Sequence, residues 1–311
     1  MYCQHFRLER RPFESCNVRG DRSFYPSEVH RSTQSKIRFA VASRKPVLSL
    51  VGDSGIGKSL LIDMLSATLQ GSEFIRGQSD SHDSALEPSY LMLHRSGAAS
   101  SEELAQLDDS IAPVVRILFP QMNAVELMAH IADEFTGQSS PAQTPMRHSL
   151  HRIETCLSNN LRDQQHALMI IDDAHLLDAE CLQMLSLLLN LCREQTRSES
   201  PMTLLLSGNP SLLNHLQSEP SLHRRMAVKC VMQRMTKLQS AAYIQHRLAA
   251  VGCAAALFTD AAVESIFQRS GGIPGRINRL ADLALMVAYA NVEDRVQEQH
   301  IEDVHQQLIA A

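Results

Sequence analysis

Residues Gly52-Asp53-Ser54-Gly55-Ile56-Gly57-Lys58-Ser59 match the pattern G-x-x-x-x-G-K-[ST], and they stand between two segments of different periodicity. Residues 46–51, Pro-Val-Leu-Ser-Leu-Val, form a short aliphatic run that suits a buried strand. From Lys58 to Leu69 the apolar side chains recur at helical spacing. A strand that enters a glycine-rich turn and leaves as a helix aims converging backbone N–H groups, and the positive end of the helix dipole, at an anion. A chance match in a loop would lack this setting, so the octet restricts the chain to α/β architectures with a phosphate-binding loop. Gly52, Asp53, Ser54, Gly55, Ile56, Gly57, Lys58, Ser59 and Leu60 are the expected nucleotide-binding residues, for ATP with Mg²⁺. In this reading Lys58 reaches the β- and γ-phosphates and the Ser59 hydroxyl ligates the metal.

Composition agrees with this class. With 311 residues, 44% hydrophobic and 20% charged, the chain is neither disordered nor a mini-protein, and it has room for one large domain or two smaller ones. Trp is absent and aromatics make up 5%, so the core must be aliphatic, as in helix-rich α/β proteins. The net charge of −5 argues against a surface that coats nucleic acid. Residues 1–45 nevertheless carry ten basic and four acidic side chains, a local balance of +6. This segment reads either as a solvated arm with one helix or as a part that faces a ligand or partner. Seven Cys without a C-x-x-C pair, no signal-peptide core and no run of about 18–20 apolar residues predict a cytoplasmic protein with no membrane span.

Further strands are expected at 112–119, 167–171, 202–206 and, more weakly, 227–231. Helices are expected at 27–43, 123–135, 146–161 and 178–193. Asn123 followed by Glu126 resembles a capping box, and Asp178 can cap the helix after it. The Met and Leu stripes at 183–191 and 280–287 read as core faces. Residues 71–110 are polar and read as an exposed insertion with a short helix at 101–107. Beyond Thr236 only helical patterns remain, at 238–252, 260–269, 275–290 and 298–309. The domains expected are therefore an arm and helix (1–45), an ATPase α/β domain (46–236) and a helical lid (237–311).

Three strand ends carry further chemistry. The run 168–171 ends in Asp172-Asp173, where the first acid is expected to hold Mg²⁺ and the second to orient the attacking water. At the end of the fourth strand, Asn209 stands before Pro210, either as a γ-phosphate or water ligand or as a turn former. Arg224 and Arg225, just before the fifth strand, are candidates for a cation that a neighbouring subunit inserts, or are surface charges.

Several blocks together resemble the ExeA/GspA-type AAA+ ATPases of bacterial general secretion and pilus biogenesis, relatives of the TniB and TnsC transposition ATPases. They are Met1-Tyr2 with Phe6, Pro12-Phe13, Phe24-Tyr25-Pro26-Ser27-Glu28-Val29-His30, the loop at 52–59, Ile170 to Leu177, Ser207 to Leu212, and Ser270-Gly271-Gly272-Ile273-Pro274-Gly275-Arg276-Ile277-Asn278. The resemblance implies an α/β P-loop NTPase (AAA+) with a parallel five-stranded sheet and a C-terminal all-helical lid. It implies hydrolysis of Mg-ATP within a homo-oligomeric ring or filament, a protein partner from a secretion or pilus system, and DNA as the alternative partner. By the same resemblance Phe24-Tyr25 and the next helix lie beside the nucleotide, Arg225 matches the arginine finger with Arg224 as alternate, and Asn209 is sensor 1. This sequence departs from the family at Asp173, where Glu is usual, at Asn209, where Gln is usual, and at Gly275, where an arginine usually follows the proline. Arg276, one residue on, is then the expected sensor 2 residue, turned by about 100° on the helix.

Overall fold

The computed structural model describes residues 2–14, 24–25, 27–69, 111–141, 144–195, 200–253 and 256–310. The expected insertion at 71–110, with its helix at 101–107, and residues 15–23 of the basic segment lie outside the described residues. Contacts group the chain into two compact units. A sheet unit contains Ser32–Val51 and Leu61–Val231, and a helical unit contains Met1–Arg31, Gly52–Leu60 and Met232–Ala311.

The strands are β1 (Val47–Val51), β2 (Ile111–Ile117), β3 (His166–Ile171), β4 (Met202–Gly208) and β5 (Met226–Val231). They form one five-stranded sheet in the order β2-β3-β4-β1-β5, and every pair is parallel. Leu50 sits opposite Ser207 on one side and Cys230 on the other. Parallel neighbours need crossover connections, and the crossing helices cover both faces of the sheet. This is why β1, β3 and β4 are buried along their whole length and read as mainly aliphatic runs. The edge strand β5 alternates between exposed and covered positions instead. The second strand stops at Ile117, two residues before the expected end, because its partner β3 stops at Ile171 opposite it. Without that ladder Leu118 and Phe119 are exposed.

Helix α2 (Glu28–Ala42) leads into β1, and α3 (Lys58–Leu69), α4 (Ala124–Thr136), α5 (Met146–Arg162), α6 (Ala179–Gln195), α7 (Leu212–Ser218) and α8 (Pro220–Arg225) connect the strands. The Asn123–Glu126 capping box forms at the start of α4, with Glu126 N donating to Asn123 Oδ1 at 2.9 Å. Asp178 accepts from Cys181 N at 2.7 Å at the start of α6. Ile117, Leu127, Ile131, Ile153, Met169, Leu185 and Leu204 share one core. Within it the stripe at 183–191 supplies Leu185, Leu188 and Leu189.

His166 is a polar residue inside this sheet, 2% exposed, with Nε2 2.8 Å from Thr203 Oγ1. Burial, with the Arg44 charge adding to it, pushes its imidazole down to about 4. Between that value and the ordinary 6.5 the unfolded chain binds the proton that the fold refuses. The stability His166 confers is therefore present above pH 6.5 and is lost as the pH falls toward 4. Between pH 7 and 5.5 the wild-type protein should lose about 1.2 kcal/mol more than a His166→Asn variant in urea titrations. Equal losses would show that this imidazole titrates normally.

The helical unit contains α9 (Lys237–Ala249), α10 (Asp260–Ser270), α11 (Pro274–Ala290) and α12 (Glu298–Ala310), together with the first residues of the chain and a short helix α1 (Tyr2–His5). Tyr2, Phe6, Leu8 and Phe13 are buried against Leu248, Phe258, Ile277 and Leu285. The Phe13 and Phe258 rings meet edge to face with centroids 6.0 Å apart. Arg247, 2% exposed, donates from Nε to the Pro12 carbonyl at 2.6 Å and from Nη2 to the Glu14 carbonyl. A buried guanidinium needs such acceptors. Residues 2–14 are thus anchored by their apolar side chains, while Arg7, Arg10 and Arg11 stay exposed.

Candidate functional site

The expected site residues divide between the units, and each group has its own geometry. In the helical unit the loop at 52–59 turns through two left-handed glycines, Gly55 at φ +80° and Gly57 at φ +105°. At Gly57 and at Gly52 a side chain is also opposed by space. A Cβ on Gly57 would lie 2.8 Å from His30 Nε2, and one on Gly52 would lie 2.9 Å from Ile56 Cγ2. Lys58 opens α3 and is buried, with Nζ donating to the carbonyls of Gly52 at 2.9 Å and Asp53 at 3.1 Å. Its ammonium is thereby folded over the loop. Ser54 and Ser59 are exposed, and Ser59 lies in the first turn of the helix.

The surroundings of the loop include groups that the motif does not announce. His30 is buried, its Nδ1 is 2.5 Å from Ser27 Oγ, and its Nε2 has no partner among the described residues. Burial pushes this imidazole below its ordinary value, so it is neutral at pH 7. It comes from the block 24–30 that carries part of the family resemblance, so that block is the signal that could have found it. Arg234 donates from Nε to Asp53 Oδ2 at 2.7 Å. That bond, with Arg276 and Lys58 adding their charge, holds the Asp53 carboxyl below the usual carboxylate range. At the departure from the family pattern, Gly275 N donates to the Gly55 carbonyl at 2.9 Å. A Cβ on Gly275 would sit 3.1 Å from Gly55 Cα, so a residue with a side chain would crowd the loop there. Arg276 is exposed and acts on Asp53 through charge alone.

In the sheet unit Asp172 and Asn209 follow the neighbouring strands β3 and β4, so they lie along the carboxyl edge of the sheet. The Asp172 side chain is 7% exposed and accepts from Arg116 Nη2 at 3.3 Å. Arg116, on β2, also pairs with Asp63 on α3. Asp172 Oδ1 takes a bond from Asp173 N at 3.1 Å as well. Asp173 itself is exposed and has φ +48°. A left-handed non-glycine costs on the order of 1 kcal/mol and persists where its surroundings impose it, often at functional sites. The Asn209 side-chain oxygen accepts from Ser211 N at 2.9 Å and Ser211 Oγ at 2.6 Å. It therefore forms a turn.

Arg224 and Arg225 end α8 immediately before β5, at the amino edge of the parallel sheet and opposite the edge that carries Asp172. Arg225 is hydrogen-bonded to Asn190 of its own chain, whereas Arg224 is exposed and donates to Pro220 O at 3.3 Å.

A family model described as an AAA domain matches residues 41–216. Aeromonas hydrophila general secretion pathway protein A is 24% identical over 299 residues, 95% of this chain and 46% of that protein, so the chain spans about half the length of this relative. The fold is similar to that of the Aeropyrum pernix ORC2 protein, solved as ADPNP-ADP complexes (TM-score 0.59, 14% identity, covering 96% of this chain and 71% of that one). It is also similar to Drosophila ORC bound to DNA (0.63, 13%, 99% and 66%) and to Pyrobaculum aerophilum Cdc6p (0.62, 15%, 92% and 67%).

Proposed function

The chain belongs to the AAA domain family, and on that premise we propose that it binds and hydrolyses Mg-ATP to drive remodelling or assembly of a partner complex. The observation that carries this reading is the loop at 52–59, whose two left-handed glycines and folded-over Lys58 suit it to phosphate. In this reading Lys58 draws charge from the β- and γ-phosphates, and Ser59 and Asp172 are each proposed as metal ligands. Bound Mg²⁺ would neutralise charge on the phosphate oxygens as it develops. Asp173 orients water, helped by the Asn209 amide, and Arg276 adds positive charge beside the loop.

The position of Arg224 and Arg225 at the amino edge of the sheet supports action in a neighbouring subunit, hence a ring or filament. With Arg225 engaged by Asn190, Arg224 is the better placed of the two to reach outward. Similarity to general secretion pathway protein A favours a secretion or pilus partner and work in the cytoplasm, where ATP is supplied. No helix among the described residues is long and apolar enough to cross a membrane.

Phosphate release by the purified chain with Mg-ATP tests the proposal, and absence of turnover would overturn it. Added duplex DNA separates the two partner classes. Stimulation that collapses as salt rises from 50 to 200 mM would mark a transposition-type, DNA-associated ATPase, because phosphate contacts are lost steeply with ionic strength. A rate indifferent to DNA supports the secretion or pilus reading.

Asp173→Asn should lower turnover by at least about 10-fold with ATP affinity retained, since the residue acts on water rather than on binding. Asp173→Glu restores the residue usual in the resembling family. A several-fold gain in that variant would point to a nucleotide-gated scaffold that hydrolyses weakly by design, and an unchanged rate would count against one.

A further inference from the structure

We propose that Arg234 is a phosphate-binding residue and that Asp53 holds its place until nucleotide arrives; the inference rests on the nucleotide reading of the loop at 52–59. Asp53 is a carboxylate in a loop whose glycines and lysine suit a polyanion, so it opposes the ligand unless a cation covers it. Arg234 covers it, with Nε 2.7 Å from Oδ2. Arg276 and Lys58 also act on this one carboxylate, so three cations converge on a single anion. That surplus of positive charge is the mark of an anion site whose occupant is larger than one carboxylate.

The backbone that carries Arg234 is held in place from the side of the helical unit. Met235 N donates to the Gly272 carbonyl at 2.9 Å, and a Cβ on Gly272 would lie only 2.1 Å from Met235 O. A Cβ on Gly271 would lie 3.5 Å from Arg234 Nη1. The next turn is in turn bonded to the loop through Gly275 N and Gly55 O at 2.9 Å. Only the long side chain of Arg234 is therefore adaptable. Both members of the pair keep contact with water, at 56% and 31% exposure. Exposed ion pairs contribute little to stability, so exchanging the Asp53 carboxylate for a phosphate oxygen costs little. A guanidinium offers a fork of donors that suits phosphate as well as carboxylate.

The signs of two substitutions test this. Arg234→Ala should weaken ATP binding by about 10-fold, ADP by less and AMP hardly at all, since it removes charge-assisted bonds to phosphate. Asp53→Asn, which removes the competitor, should tighten ATP binding by about 3-fold. A pair that only braced the loop would make both variants weaken ATP in the same direction, and that result would overturn the proposal, as would an Arg234→Ala variant with wild-type affinity. Arg234→Lys should retain part of the ATP affinity, which separates loss of charge from loss of packing. The measurement is displacement of a fluorescent ATP analogue by ATP, ADP and AMP, with nucleotide-free melting curves to verify folding. A wild-type chain that bound no nucleotide would overturn the functional reading itself, before any variant is compared.

Discussion

Replacing Lys58 with alanine is expected to cut Mg-dependent ATP turnover by at least about 100-fold, because one preorganised cation at a developing phosphate charge supplies that much stabilisation. The side chain is buried over the loop, and its ammonium donates to the carbonyls of Gly52 and Asp53. Its loss removes charge from the site without opening the apolar core, which is built from other residues such as Ile62, Leu65 and Leu204. The melting temperature should therefore stay within a few degrees of the wild type while phosphate release falls to background and ATP affinity weakens. Turnover that survived in the purified Lys58→Ala protein would place the chemistry outside this loop.

Removing Arg116 should act on stability instead. Asp172 is 7% exposed at its side chain and Arg116 24%, so a methionine at 116 leaves a buried carboxylate without its cation. Breaking a buried pair by removing one partner typically costs 3–5 kcal/mol; the partial exposure of Arg116 reduces the expectation for Arg116→Met to about 2–3 kcal/mol at pH 7.5 without metal. The Asp63 arm is more exposed, at 39%, and adds less than about 1 kcal/mol. Combining Arg116→Met with Asp172→Asn should recover most of the loss, since the amide no longer needs the cation. Urea denaturation of the two variants measures this. A double variant no more stable than Arg116→Met alone would show that the arginine serves packing rather than the carboxylate.

Much of the site is legible along the chain because its chemistry is local. A strand, a glycine turn and a helix need only adjacent residues, so the loop at 52–59 can be read from periodicity and spacing alone. The same is true of the aliphatic run that ends in Asp172 and of the capping pair Asn123 and Glu126, both of which depend on neighbours within a few positions. Fully buried strands such as β3 and β4 announce themselves because a parallel sheet covered on both faces admits few polar residues. The left-handed turn at Asp173 is not legible in this way, since aspartate tolerates that conformation but adopts it at few positions, chosen by the surroundings.

Arg116 and Arg234 carry no motif, and each is a lone arginine in its segment. Arg116 meets Asp172 because β2 lies beside β3, with Ile117 opposite Ile171, although the two residues are 56 positions apart. Arg234 meets Asp53 across 181 positions. Gly275 is visible in the sequence only as a departure from a family pattern, and its backbone bond to Gly55 is what gives that departure a physical meaning. The loop at 52–59, the acidic strand end and the succession of strands and helices follow from local pattern, because hydrogen bonding within a helix and alternation along a strand act over a few residues. Only the tertiary structure decided which charges face one another and that residues 2–14 pack with the helical unit, because strand order and helix docking are set by burial summed over the whole chain.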